Sequence, residues 1–168
     1  MTSTWIQRPD YRNGPWEFYA GVGEPDRSMY RRAFVARLAW FGLPASETIY
    51  GTARADTSGE PLRDSCRYRI SGSDPNARWW SVTAYRERHW MPNAKNRYAW
   101  SGRDLAREAD GSWSIVLSRD EQPGNWLPMD SAEGAITLIV RLYNPSQNLR
   151  DTLPTTAPLP RIEKLSCA

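Results

Sequence analysis

The stretch from Ala135 to Tyr143 constrains the chain more than any other. Ile136, Leu138, Val140 and Leu142 alternate there with Thr137, Ile139, Arg141 and Tyr143. A two-residue period of this kind belongs to a strand with one side in a core and the other toward polar surroundings. The same reading applies to Thr48 to Ala55 and to Ser65 to Ile70, where Cys66, Tyr68 and Ile70 share a face. It applies again to Arg78 to Tyr85, where Trp80, Val82 and Ala84 oppose Trp79, Ser81, Thr83 and Tyr85, and to Ser112 to Ser118, with Trp113, Ile115 and Leu117 together. Turn-forming clusters separate the runs: Asp56 to Pro61, Gly72 to Asn76, and Asp110-Gly111. Short strands between turn clusters predict a mainly β fold, an antiparallel β-sandwich or partly closed barrel.

One helix precedes them. Glu24, Pro25 and Asp26 suit a helix start, and Gly42 with Pro44 a stop. Between Asp26 and Phe41, residues Met29, Tyr30, Ala33, Phe34, Ala36, Trp40 and Phe41 fall on one apolar face at the helical period, with Arg37 near its middle and Arg31 and Val35 pointing away. A buried Arg37 would need a carboxylate, a carbonyl or a route to the rim. Residues 1–23 mix aromatics with Pro9, Gly14, Pro15, Gly21 and Gly23, and are expected to form an ordered arm without regular elements. Glu87 to Asn96 reads as a loop, Arg97 to Trp100 as a short extended piece and Arg103 to Ala109 as a helical turn. Asp120 to Glu133 reads as a polar loop interrupted by Asn125-Trp126-Leu127-Pro128, and the proline-rich tail from Asn144 as surface coil. The organisation expected is an arm over 1–23, one helix-plus-β domain over 24–160 and a tail over 161–168.

The 168 residues suffice for one domain with a real core. A net charge of +3 comes with basic residues spread along the chain, so no nucleic-acid footprint is expected. All but Lys95 and Lys164 of the 22 basic residues are arginine, whose flat fork suits carboxylates and phosphates; an arginine-biased composition explains them equally. No apolar run reaches the roughly 18 residues of a membrane span, and the first residues have no secretory apolar core. Cys66 and Cys167 stand too far apart for a metal or redox motif. Two unpaired thiols are favoured over a bridge between them.

Chemistry-bearing motifs are scarce. No GxGxxG, P-loop, HExxH or GxSxG pattern occurs, so no cofactor and no metal is expected. His89 is the only histidine and is expected in a solvent-facing loop. Asp56, Glu60, Asp64, Asp104 and Asp110 sit in or beside turns, which accounts for them without a catalytic pair. The richest stretch is Arg78 to Trp100, with four of the nine tryptophans. It contributes to a set of amide, guanidinium and aromatic groups: Tyr85, Asn93, Asn96, Arg97, Tyr98, Asn125, Trp126, Arg141 and Tyr143. Such groups can orient a sugar or small carboxylate, or pin loops to a sheet.

In order along the chain, Arg32-Ala33, Tyr50, Asp56 with Gly59 and Leu62, Tyr68, Trp80-Ser81-Val82-Thr83 with Tyr85, Asn93, Arg97-Tyr98, Asp110-Gly111-Ser112, Asn125-Trp126-Leu127-Pro128 and Arg141-Leu142-Tyr143-Asn144-Pro145 resemble the bacterial domain of unknown function 1214. The likeness runs from about Asn13 to Pro160, and the NWLP and RLYNP anchors carry most of it. The resemblance implies a jelly-roll-like β-sandwich, often placed behind a companion domain of unknown function 1254 that this sequence does not include. The family usually has Phe-Trp-Ser where this chain has Trp79-Trp80-Ser81, and a glycine near the place of Asp64. It carries no agreed activity or catalytic residues to transfer.

The expectation is therefore a tryptophan-rich, jelly-roll-like β-sandwich with one N-terminal helix. It binds a sugar or small polar ligand through Trp79, Tyr85, Asn93, Arg97, Tyr98, Trp126 and Arg141. Two alternatives stand beside it. One is a small hydrolase or lyase using a carboxylate or His89, with Arg97 or Arg141 stabilising charge. The other is a domain that meets another protein or a second copy of itself.

Overall fold

Strand β10 (Ile136–Pro145) is the strand that the alternation singles out, and it is flanked on both sides. It pairs antiparallel with β3 (Thr48–Ala53) and with β5 (Ala77–Arg86), so that Arg141 lies between Tyr50 and Ser81. A computed structural model of the chain describes residues 8–19, 22–24, 28–37, 42–87, 89–130 and 135–167. Beyond β3 come β2 (Trp16–Tyr19) and β1 (Tyr11–Asn13); beyond β5 come β6 (His89–Trp90) and, beside it, β7 (Ala99–Ser101). A second sheet has the order β11 (Arg161–Cys167), β4 (Cys66–Gly72), β8 (Trp113–Ser118) and β9 (Trp126–Pro128). The protein is mainly β, and its pairs are antiparallel apart from β8 with β9, which is parallel.

One core cluster draws on both sheets. From the first come Trp16, Phe18, Ile49, Trp80, Val82, Ala84, Leu138, Val140 and Leu142; from the second Tyr68, Ile70, Trp113, Ile115, Leu117, Leu127 and Ile162. Those of β3, β4, β5, β8 and β10 are apolar members of the alternating runs, whereas Trp16, Phe18, Leu127 and Ile162 come from segments expected to be arm, loop or coil. Trp80 and Trp113 stack at 4.7 Å between ring centroids and join the sheets. Gly51 faces this interior; a Cβ there would lie 2.6 Å from the Phe18 ring and 2.8 Å from Val140, so only glycine lets Phe18 close on β3.

Several expectations are corrected. Within the expected arm, the described residues 8–19 are not irregular: Tyr11–Asn13 and Trp16–Tyr19 pair as a hairpin that joins the sheet, with Trp16 and Phe18 fully buried. The prediction failed because Gly14 and Pro15 occupy the turn between the strands, Gly14 at φ +57°, and do not interrupt either one. Consequently the helix does not lead the fold. Helix α1 (Met29–Arg37) follows β2, and Ser28 lies before its first turn; the rest of the expected span, 26–27 and 38–41, lies outside the described residues. Among its described side chains Val35 is buried, whereas Met29 and Tyr30 are 74% and 62% exposed and Ala33, Ala36 and Arg37 are exposed too. Periodicity identifies an apolar stripe but not whether the tertiary structure covers it. Trp40, Phe41 and the Phe34 and Arg31 side chains lie outside the described residues.

The C-terminal part is not coil. Ser146 caps α2 (Gln147–Thr152), its hydroxyl accepting from the Leu149 N–H at 3.1 Å, and β11 then pairs with β4. Cys167 falls opposite Cys66 in that register and the two form a disulfide, against the expectation of free thiols. A separation of 101 residues says nothing about proximity in space; strand pairing supplied it. The expected helical turn at 103–109 is a turn closed by Asp104, and Trp126–Pro128 is a strand, not part of a loop. Among the described residues no helix is long and apolar enough to cross a membrane.

Candidate ligand-binding face

Alternation sends the second set of side chains to the side of the first sheet opposite the core. Register places Trp79, Ser81, Thr83 and Tyr85 of β5 on the same side as Tyr143, Arg141, Ile139 and Thr137 of β10, and Thr48, Tyr50 and Thr52 of β3 join them. The short hydroxyl residues Ser81, Thr83, Thr52 and Thr137 are each at most 6% exposed, lying low between the larger rings. Tyr50, Trp79, Tyr85, Arg141 and Tyr143 are half-buried and rise above them.

Arg141 sits at the middle of this face. Its Nη1 donates to Thr83 Oγ1 at 2.8 Å and its Nη2 to the Tyr85 hydroxyl at 2.6 Å, while the guanidinium carbon lies 5.7 Å from the Tyr85 ring centroid. The same Tyr85 hydroxyl accepts from the Trp90 indole N–H at 3.2 Å, and Trp90 packs on Tyr98 with centroids 4.9 Å apart. Trp90 is nonetheless 60% exposed. On the other flank Trp79 meets Tyr143 edge-on at 5.2 Å. Burial pushes the Tyr50 pKa up to about 12; its hydrogen bond to Tyr143 adds to the rise and nearby Arg141 opposes it.

The seven expected ligand-binding residues divide between two places. Tyr85, Arg141 and, through Trp90, Tyr98 come together on the outer face, and Trp79 shares that face next to Tyr143. Asn93, Arg97 and Trp126 do not join them. The Asn93 side chain bonds Met91 O, Arg97 O and the N–H groups of Lys95 and Arg97, and so holds its own loop. Arg97 lies 4.0 Å over the Trp100 ring and pairs with Asp104; the Trp100 indole donates to Trp126 O at 2.9 Å, linking β7 to β9. Asn125 is likewise structural, bonding Ala106 and Ser114. Trp90 and Thr83 were missed as partners. The aromatic density of 78–100 pointed toward Trp90, whereas nothing local marks Thr83.

The turn carboxylates serve their turns. Asp56 accepts from Ser58 N, Ser58 Oγ and Glu60 N at 2.9, 2.6 and 3.1 Å. Burial alone would raise its pKa, but these bonds outweigh burial and the net shift is downward. Asp104 shows the same balance with Ser101 and Arg97, Asp110 bonds Ser112 N, and Asp64 pairs with Arg119. His89 is exposed on β6. Among the described residues no three potential metal ligands converge.

Residues 47–147 match the family described as protein of unknown function, DUF1214. The chain belongs to that family. A crystal structure of the VPA0106 protein from Vibrio parahaemolyticus is similar, with a TM-score of 0.68 and 26% identity over 84% of this chain and 36% of that one. A putative uncharacterized protein from Burkholderia cenocepacia has a TM-score of 0.50 at 19% identity, over 94% of this chain and 37% of its own, a likeness of fold alone. The chain thus spans little more than a third of either structure. No curated protein matches it. The DUF1214 match takes in β3 through β10, and hence the whole Arg141 cluster.

Proposed function

We propose that this DUF1214 domain is a jelly-roll-like β-sandwich that binds a small polar molecule, a carbohydrate in the first instance, on the outer face of its seven-stranded sheet. The observation that carries the reading is the joined set of Arg141, Thr83, Tyr85, Trp90 and Tyr98. It offers a fixed cation, a hydroxyl and a partly exposed ring surface from three strands and a loop. Aromatic faces beside a few placed polar groups are what a sugar site needs. The core shared between the two sheets supports the sandwich assignment. Proton-transfer chemistry has less support, because the turn carboxylates are engaged with backbone N–H groups or arginines.

The test is tryptophan fluorescence and thermal shift against neutral sugars, acidic sugars and small organic anions. A saturable response is expected, weakened at least about tenfold in Tyr85→Ala and Trp90→Ala. It should be unchanged in Arg119→Gln, whose arginine follows β8 of the second sheet and pairs with Asp64. A response that survives both aromatic substitutions would move the site elsewhere. A second reading, association with a protein partner or another copy, is supported by the exposed Met29 and Tyr30 of α1. A sedimentation measurement showing only monomer across a wide concentration range would remove self-association.

A further inference from the structure

Four arginines elsewhere in the chain end on carboxylates. Arg86 ends on Asp130, Arg97 on Asp104, Arg107 on Asp74 and Arg119 on Asp64, each within 3.5 Å. Arg141 ends on two neutral hydroxyls, and among the described residues no carboxylate pairs with it. On the same side of the sheet, Glu17 is engaged by Arg12 at 2.7 Å and Arg54 at 3.1 Å.

A donor count sharpens the contrast. A guanidinium has five N–H donors, of which Thr83 and Tyr85 take two, and the described residues offer no other acceptor to the rest. The Tyr85 oxygen accepts from both Arg141 and Trp90, so its lone pairs are committed and its own proton is left to donate. The cluster therefore has surplus donors and a surplus positive charge. A neutral sugar hydroxyl, donor and acceptor alike, leaves that surplus half used. A carboxylate brings only acceptors and a charge, and matches the guanidinium fork. Beside it, the tilted Trp90–Tyr98 pair offers a ring-sized apolar surface.

Resting on the binding reading above, we infer that the ligand is a ring compound bearing a carboxylate, with the carboxylate on Arg141 and Tyr85 and the ring against Trp90. The shared chemistry covers two sources, an acidic sugar and an aromatic acid. Calorimetric titration with matched probes separates them: glucuronate against glucose, and benzoate against benzyl alcohol. The acid of at least one pair is expected to bind about tenfold or more tightly than its neutral partner, with the preference shrinking as salt rises. Arg141→Gln should abolish the preference, Tyr85→Phe should reduce it while keeping the ring, and Arg97→Gln, whose guanidinium is already paired, should leave it intact. If Arg141→Gln does not fold, Arg141→Lys keeps the charge without the fork and should retain part of the preference. Equal binding of acid and neutral probes overturns the anion inference and leaves the binding reading standing. No binding by any of the four, nor by the wider sugar panel, removes both.

Discussion

At the scale of single residues, local hydrogen bonds and close contacts decide more than residue type does. Asp56 is 3% exposed and ionised because three donors converge on one oxygen. Its pKa is lower in the folded than in the unfolded chain, so it contributes stability above the unfolded value near 3.9 and loses it as pH falls through the folded value. Asp56→Asn is expected to lower stability by about 1–3 kcal/mol at neutral pH. The deficit relative to the parent should narrow in melts recorded at pH values progressively below the unfolded carboxylate value. Gly51→Ala is the second test at this scale. Its new Cβ would sit 2.6 Å from the Phe18 ring, and denaturant unfolding should show a loss of about 1–3 kcal/mol.

At the scale of elements, the C-terminal strand is held at both ends. Ile162 is fully buried, its carbonyl accepts from Thr57 N at 2.8 Å, and the Cys66–Cys167 bond ties the far end of β11 to β4. Removing a bridge that closes a loop of this length costs about 2–5 kcal/mol, chiefly by freeing the unfolded chain. Paired Cys66→Ala and Cys167→Ala, or reduction of the parent, should lower the unfolding midpoint accordingly. Helix α1 makes a subtler prediction: Val35→Ser should destabilise, whereas Met29→Ser should stay within about 0.5 kcal/mol despite removing the larger apolar side chain. Strands β3, β4, β5, β8 and β10 were legible from alternation, which sorted their residues into two faces; packing between the sheets chose the inward one. Strands β1, β2, β9 and β11 were not. Each is short or lies beside proline and glycine, and exists as a strand because a neighbour offers a hydrogen-bonding edge.

At the scale of the whole molecule, β10 is the axis. It is hydrogen-bonded on both edges and contributes Leu138, Val140 and Leu142 to the shared core and Arg141 to the outer face. Amide exchange should be slowest in β10 and β5 and fast in the edge hairpin β1 and in β6. Faster exchange in β10 than in β1 would contradict the pairing order. The candidate site depends on this axis too: Thr83 and Tyr85 reach Arg141 only because β5 lies alongside β10, from a place more than fifty residues earlier. The sequence by itself determined the β class, the division of the principal strands into two faces and the concentration of aromatic and guanidinium groups, because a two-residue period is written within a few neighbouring residues. Only the tertiary structure decided that Arg141 meets Tyr85 and not Arg97 or Trp126, that Cys66 meets Cys167, and that Met29 and Tyr30 of α1 are exposed. Those outcomes come from the register between strands distant in the chain, which is set by the summed packing of two sheets and by no local pattern.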